Sequence, residues 1–194
     1  MQKLRILPFM YNGLLSLIKA IPNTKEKILV EIGTWLGESA IIFSKYFKTV
    51  ITIDYFENIG NDTKEIEDTC KENIREFSNI TLLKKESTEA SSLFNTESID
   101  ILYLDGDHSE KGILGDFYFW YPKVKKDGFI CGHDYNNFYY KEVYDNVNLL
   151  GKPEIFEDTS WLFKKEDIKN FNKIETKYFK VQQCLEFKRR LLNL

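Results

Sequence analysis

Three short runs of this sequence gather the residue types that move protons or hold cations. They are Ile28 to Ser39 (I-L-V-E-I-G-T-W-L-G-E-S), Asp105-Gly-Asp-His-Ser109 and Gly132-His-Asp-Tyr135. Each contains glycine and either includes or follows an apolar stretch, so each reads as a turn leaving a buried strand. Asp105, Asp107 and His108 fall in the second run, His133 and Asp134 in the third, and these include both histidines of the chain. An imidazole titrates near neutrality, so His108 or His133 suits a general base. Asp105, His133 and Asp134 alternatively suit a divalent cation, which would acidify a coordinated hydroxyl.

The first run suggests what such a site serves. Its glycines, Gly33 and Gly37, are spaced G-x-x-x-G, without the G-x-G-x-x-G that cradles a pyrophosphate. Glu31 stands immediately before the turn. A carboxylate there repels phosphate and favours a cation. Asp54 ends the next apolar run, about twenty residues beyond Gly33, where nucleotide-binding β-α-β units place the acid that grips a ribose. A nucleoside with a positive charge and no phosphate fits both acids, and S-adenosylmethionine (SAM) has that character.

The elements that must position these residues alternate along the chain. Ile28–Ile32, Val50–Asp54, Ile80–Leu83, Ile99–Leu104 and Phe129–Cys131 read as strands. Between them Glu38–Phe47, a segment starting at Asp62 with Glu65 as a capping box, and Gly112–Val124 read as helices. Alternation with short connections predicts an α/β doubly wound, mostly parallel sheet, with ligands beyond the strand C-termini. Phe9–Ala20 predicts a packing helix before the first strand, and Lys141–Leu150 a short helix after the fifth. Glu154–Glu157 and Ser160–Lys164 predict a hairpin across Asp158-Thr159, and Lys177–Leu194 a helical tail. Lys125-Lys-Asp-Gly128 reads as a turn.

V-E-I-G-T-W-L-G-E-S with I-D-Y-F resembles motifs I and II of class I SAM-dependent methyltransferases. Y-L-D-G-D-H-S and G-F-I-C-G-H-D-Y resemble a subgroup related to bacterial macrocin/sugar O-methyltransferases. The resemblance covers roughly Lys25 to Lys165. It implies a Rossmann-like seven-stranded sheet with an antiparallel C-terminal edge strand. It implies SAM contacts at Glu31, Gly33, Thr34, Gly37, Ser39 and Asp54, an adenine contact at Ser87, and further contacts at Asp105, Asp107 and His108. It also implies magnesium or manganese at Asp105 and Asp134, with His133 departing from the acid expected beside Asp134. The acceptor would be a hydroxyl of a small molecule such as a sugar or glycosylated metabolite. Tyr135, Phe138, Tyr139 and Tyr140 could line its pocket, or equally be core or a dimer face.

Composition bounds these readings. With 43% hydrophobic and 29% charged residues, the 194 residues suit one globular domain: a helical segment 1–24, a core 25–165 and a tail 166–194. A net charge of -3 gives no footprint for nucleic acid, and the basic stretches Lys123–Lys126 and Lys188–Arg190 read as solvated faces. Cys70, Cys131 and Cys184 are odd in number and far apart, which argues against disulfides or zinc and for small buried hydrophobes in a reducing cytoplasm. No apolar run approaches a membrane span, and no signal-peptide pattern opens the chain. The apolar tail makes a homo-oligomer plausible. Two other functions compete with methyl transfer: a non-catalytic SAM-binding scaffold, and a nicotinamide-dependent oxidoreductase, which the missing phosphate loop disfavours.

Overall fold

Leu29 and Val30, neighbours in the first strand, belong to two different cores, and that alternation organises the molecule. The structure is a computed structural model that describes residues 6–57 and 63–191. Seven strands form one sheet: β1 (Ile28–Ile32), β2 (Thr49–Asp54), β3 (Ile80–Lys84), β4 (Ile99–Leu104), β5 (Val124–Gly132), β6 (Glu154–Ile155) and β7 (Trp161–Lys164). Their order is β3-β2-β1-β4-β5-β7-β6. The first five run parallel, and β7 pairs antiparallel with both β5 and β6. The expected hairpin is therefore present. Its antiparallel strand β7 lies one place inside the edge, which two-residue β6 occupies.

β4 is buried at all six positions, as expected of a strand covered on both faces, and its one charged residue, Asp100, accepts hydrogen bonds from Ile28 N and Lys125 Nζ at 2.8 Å each. Ile101 and Tyr103 face one core with Leu29 and Val50, while Leu102 and Leu104 face the other with Val30 and Ile130. Helices α1 (Pro8–Ala20) and α3 (Thr63–Ile74) follow their predicted segments, whereas α2 (Glu38–Ser44) stops three residues short of the predicted Phe47. The expected cap Asp62 lies outside the described residues, as do 58–61 of the loop before it and Leu192 of the tail. Leu14, Leu17 and Ile18 of α1 pack into the first core, the predicted packing role.

The second face is covered by α4 (Ser87–Ala90), α5 (Glu110–Trp120), α6 (Lys141–Leu150) and α7 (Phe171–Leu191). Ser109 caps α5 by accepting the Gly112 N–H at 3.1 Å. The expected turn at Lys125–Gly128 is absorbed into β5 as an irregularity: Val124 pairs with Ile99, and pairing resumes only at Phe129 with Ile101. α7 starts at Phe171, six residues before the predicted tail. Ile174 is fully buried in the second core, Phe171 stacks on Tyr121 at 3.8 Å, and Tyr178 stacks on Tyr118 at 4.4 Å. The burial of Ile174 and the stacking of Phe171 extend the helix backwards. Cys70 and Cys131 are buried and free as expected, but Cys184 is exposed on α7. No helix among the described residues is long and apolar enough to cross a membrane.

Candidate active site

The C-terminal ends of β1, β2, β4 and β5 open into a cavity of about 1340 Å³. That exceeds the roughly 300–1,000 Å³ common for one small ligand, and leaves room for two molecules side by side. Carboxylates outnumber lysines on its wall.

Its first wall is the turn after β1. Gly33 has φ of 92°, and a Cβ there would lie 2.1 Å from the carbonyl oxygen of Asp105, so only glycine fits. Trp35 also has positive φ, 48°, a strained value for a bulky residue. Asp54 holds that strain: its Oδ2 accepts the N–H groups of Thr34 (2.8 Å) and Trp35 (2.9 Å), and its Oδ1 accepts from Phe56 (2.8 Å). The predicted ribose acid is thus first the clamp of the glycine loop, and it still lines the cavity. Thr34 and Ser39 line the cavity with it. Gly37 does not; its φ of 78° places it at the N-cap of α2. Glu31 lies behind the wall, fully buried, with Oε2 accepting from Thr52 at 2.6 Å and Oε1 making no hydrogen bond of good geometry among the described residues. Burial pushes its carboxyl up to about 8, against the lowering by the Ser39 and Thr52 hydroxyls. The expectation of direct ligand contact is corrected on that point, because Glu31 points into the α1–α2 side of the sheet and braces the loop from below.

The second wall joins the ends of β4 and β5. His108 Nε2 lies 2.7 Å from Asp134 Oδ2 and 3.6 Å from Asp105 Oδ1. This nitrogen is buried and makes no hydrogen bond of good geometry among the described residues. The donor atoms converge on a shared point, all within 4.8 Å of one another, instead of pairing head to tail. His133 was expected as the ligand beside Asp134. Its Nδ1 instead meets Asp134 Oδ1 at 3.0 Å, while its Nε2 faces buried Asp158 at 3.8 Å. His108 takes the place predicted for His133, because the β4 turn brings it back across the rim.

These carboxylates also change the histidines. Burial alone would lower the pKa of His108, but Asp105 and Asp134 outweigh it and push the imidazole up to about 10. Burial opposes and Asp134, Asp105 and Asp158 raise His133 to about 9. Asp134 is driven well below its usual range by the two imidazoles, despite burial, whereas burial raises Asp105. Both histidine shifts favour the imidazolium, so a neutral imidazole at either position would have to lose its proton against the neighbouring carboxylates. Asp107 lines the cavity but is occupied in building α5, accepting from Ser109 N and Oγ at 2.9 Å each.

Tyr140 is the one residue of the aromatic run after β5 that lines the cavity, 4.9 Å from the His108 ring centroid. Phe138 and Tyr139 are 81% and 74% exposed, and Tyr135 packs on Tyr144 instead. Ser87 lines the cavity, but its hydroxyl donates to Asp116 and accepts the Trp120 Nε1–H at 2.9 Å. Sequence reasoning missed Asp116 and Asp158, both buried and both on the wall. An acid inside the apolar face of α5 was the available signal for Asp116. Asp158 gave none, because an acid in a hairpin turn is ordinary. Leu7 and Met10 of the α1 segment, and Tyr178 and Gln182 of α7, complete the wall.

With this geometry in view, the likenesses to known proteins align with the same elements. The family described as a methyltransferase domain matches residues 30–135. An uncharacterised protein of Acanthamoeba polyphaga mimivirus is 33% identical over 131 residues, 63% of this chain and 59% of the relative. The chain thus spans well under two thirds of that relative's length. A candidate caffeoyl-CoA O-methyltransferase of Staphylococcus aureus shares the fold at TM-score 0.59 and 18% identity, covering 78% of this chain and 82% of the other. Phosphoethanolamine N-methyltransferase 1 of Haemonchus contortus, solved with S-adenosylhomocysteine, gives TM-score 0.58 at 12% identity over 91% and 48%. The family match runs from inside β1 to just past β5, over the glycine loop, the Asp54 clamp and both acidic rims, and on that match the chain belongs to the methyltransferase domain family.

Proposed function

We propose that the protein transfers the methyl group of SAM to a hydroxyl of a small acceptor, a sugar or glycosylated metabolite of the macrocin-related type being the leading class. One observation carries this reading: the glycine loop, the Asp54 clamp and the Asp105–His108–Asp134 rim open into a single cavity large enough for two ligands. SAM, bound along Gly33, Thr34, Ser39 and Asp54, would supply an electrophilic methyl. The carboxylate-rich wall favours its cationic sulfonium and ammonium groups.

The rim residues serve the acceptor. Asp105, raised by burial, is placed to take the hydroxyl proton. His108, held as an imidazolium by Asp134, donates toward the oxygen as negative charge develops there. Tyr140 and the Leu7–Met10 edge offer apolar surface to the acceptor's carbon face. The converging donors of Asp105, His108 and Asp134 also fit a divalent cation, and one imidazole among them suits manganese better than magnesium. Such an ion would acidify a bound hydroxyl. Transfer of radiolabelled methyl from SAM to a panel of sugars and glycosides tests the reading. Labelled product is expected from at least one hydroxylated acceptor. Label that enters only amine acceptors, or none in a protein that binds SAM, would contradict it.

A further inference from the structure

Asp158 does two things at once, and only one of them shapes the hairpin. It stands in the turn between β6 and β7, where Oδ1 accepts the Ser160 N–H at 3.0 Å and Oδ2 accepts the Ser160 hydroxyl at 2.9 Å. Turn aspartates of this kind ordinarily lie on the surface. Here the side chain is wholly buried, and among the described residues its one ion-pair partner is His133, whose Nε2 lies 3.8 Å from Oδ2. That spacing is too long for a hydrogen bond but within reach of an ion pair. A buried carboxylate is costly unless it is paired. Burial comes from α1: a Cβ on Gly13 would stand 1.9 Å from Asp158 Cγ. Glycine weakens a helix interior, and at this position it lets the α1 backbone lie directly against the carboxyl.

The turn that carries Asp158 is also fastened to the rim after β5. Tyr135 N–H donates to Thr159 O at 3.0 Å, and Trp161 Nε1–H donates to His133 O at 3.1 Å. Asp134 and Thr159 have φ of 62° and 70°, left-handed values that persist in such residues only where the surroundings enforce them. Each turn supplies that enforcement to the other. His133 Nδ1 meets Asp134 Oδ1 at 3.0 Å, and Asp134 Oδ2 reaches His108 Nε2 at 2.7 Å. Acid and imidazole therefore alternate without a break from Asp158 through His133 and Asp134 to His108.

We infer that Asp158 is a positioning residue for the rim: it fixes the ring of His133, which in turn fixes Asp134 so that Oδ2 is presented to His108. The inference rests on the proposed role of the Asp105–His108–Asp134 rim. Asp158 acts through His133 and takes no part in the transfer itself.

The chain has two histidines, so magnetic resonance of the full chain carrying isotope-labelled histidine reads each ring separately. In metal-free wild type at neutral pH, His133 should give a single set of ring signals with a slowly exchanging Nδ1 proton. Asp158→Asn keeps the shape and an acceptor for the Ser160 N–H, but removes the charge facing His133. The Nδ1 proton should then exchange roughly tenfold faster or more, the scale of a weakened charged hydrogen bond, and the His108 ring signals should shift with it. Leu17→Ala, which opens a cavity where α1 meets the first core, should lower thermal stability and leave both rings unchanged. Unchanged ring signals in Asp158→Asn, or the same changes in Leu17→Ala, would overturn the inference. So would a His133 ring that already flips between orientations in the wild type, an outcome that counts even if Asp158→Asn fails to fold. No turnover is read, so the expected ring signals in a protein that transfers no methyl group would overturn the proposed function and leave the positioning role standing.

Discussion

Gly33 and Asp105 touch backbone to backbone: a Cβ on the glycine would stand 2.1 Å from the aspartate's carbonyl oxygen. Asp105 N in turn donates to Ile32 O at 2.8 Å. The loop expected to hold the cofactor and the rim expected to perform the chemistry are thus one rigid unit. Gly33→Ala must both break that contact and hold alanine at φ of 92°. Thermal unfolding should show a loss of at least about 2 kcal/mol, the scale of combined overpacking and strain. Gly115→Ala, whose new methyl meets only Thr88 at 3.5 Å, should fold normally and weaken SAM binding alone.

Asp54 offers a sharper separation of loop support from ribose contact. Its three backbone donors all lie in the turns after β1 and β2. Asp54→Asn keeps the shape but turns an amide N–H toward at least one of these donors. We expect SAM affinity to fall by tenfold or more, together with faster amide exchange at Thr34 and Trp35. Unchanged exchange with weakened binding would assign Asp54 to the ribose only.

The first of these features was legible in the sequence and the second only half so. Glycine before a helix and an acid closing the next strand are local patterns, and the parallel sheet follows from their alternation. What escaped was decided by contacts between distant segments. His108 reaches Asp134 only because β4 and β5 are neighbours, and Glu31 turns from the cavity because strand alternation aims it at Thr52. Asp116 meets Ser87 across 29 residues, which no spacing rule anticipates.

Histidine titration gives a prediction that needs no substrate. In metal-free protein the ring protons of the two histidines should stay in the imidazolium position through pH 7 and move only as pH approaches about 9 for His133 and about 10 for His108. Because the folded values exceed the ordinary 6.5, this stabilisation is fully present below pH 6.5 and is lost as pH rises through 9 and 10. Manganese should displace the His108 proton, so its affinity should rise with pH and its paramagnetism should broaden the His108 signal first. Broadening confined to His133 would restore the ligand set expected from sequence.

Glu31 should leave its mark on stability at lower pH. Its folded value of about 8 exceeds the ordinary 4.5, so the folded chain holds a proton that the unfolded chain releases. Stability should therefore fall as pH rises from about 5 toward 8, with a slope near 1.4 kcal/mol per pH unit for one proton. Glu31→Gln should remove about one proton from that slope between pH 5 and 7, leaving the part due to Asp116. Identical slopes in the two proteins would mean that Glu31 is ionised in the fold.

Calorimetric titration of the folded protein with SAM, in metal-free buffer and again with manganese, tests the central claim most directly. The account predicts saturable one-to-one binding that Asp54→Asn weakens and that does not require the metal, since the metal donors lie on the rim and not on the glycine loop. Absence of binding under both conditions would contradict the assignment of the Gly33–Asp54 wall, and with it the proposed methyl transfer.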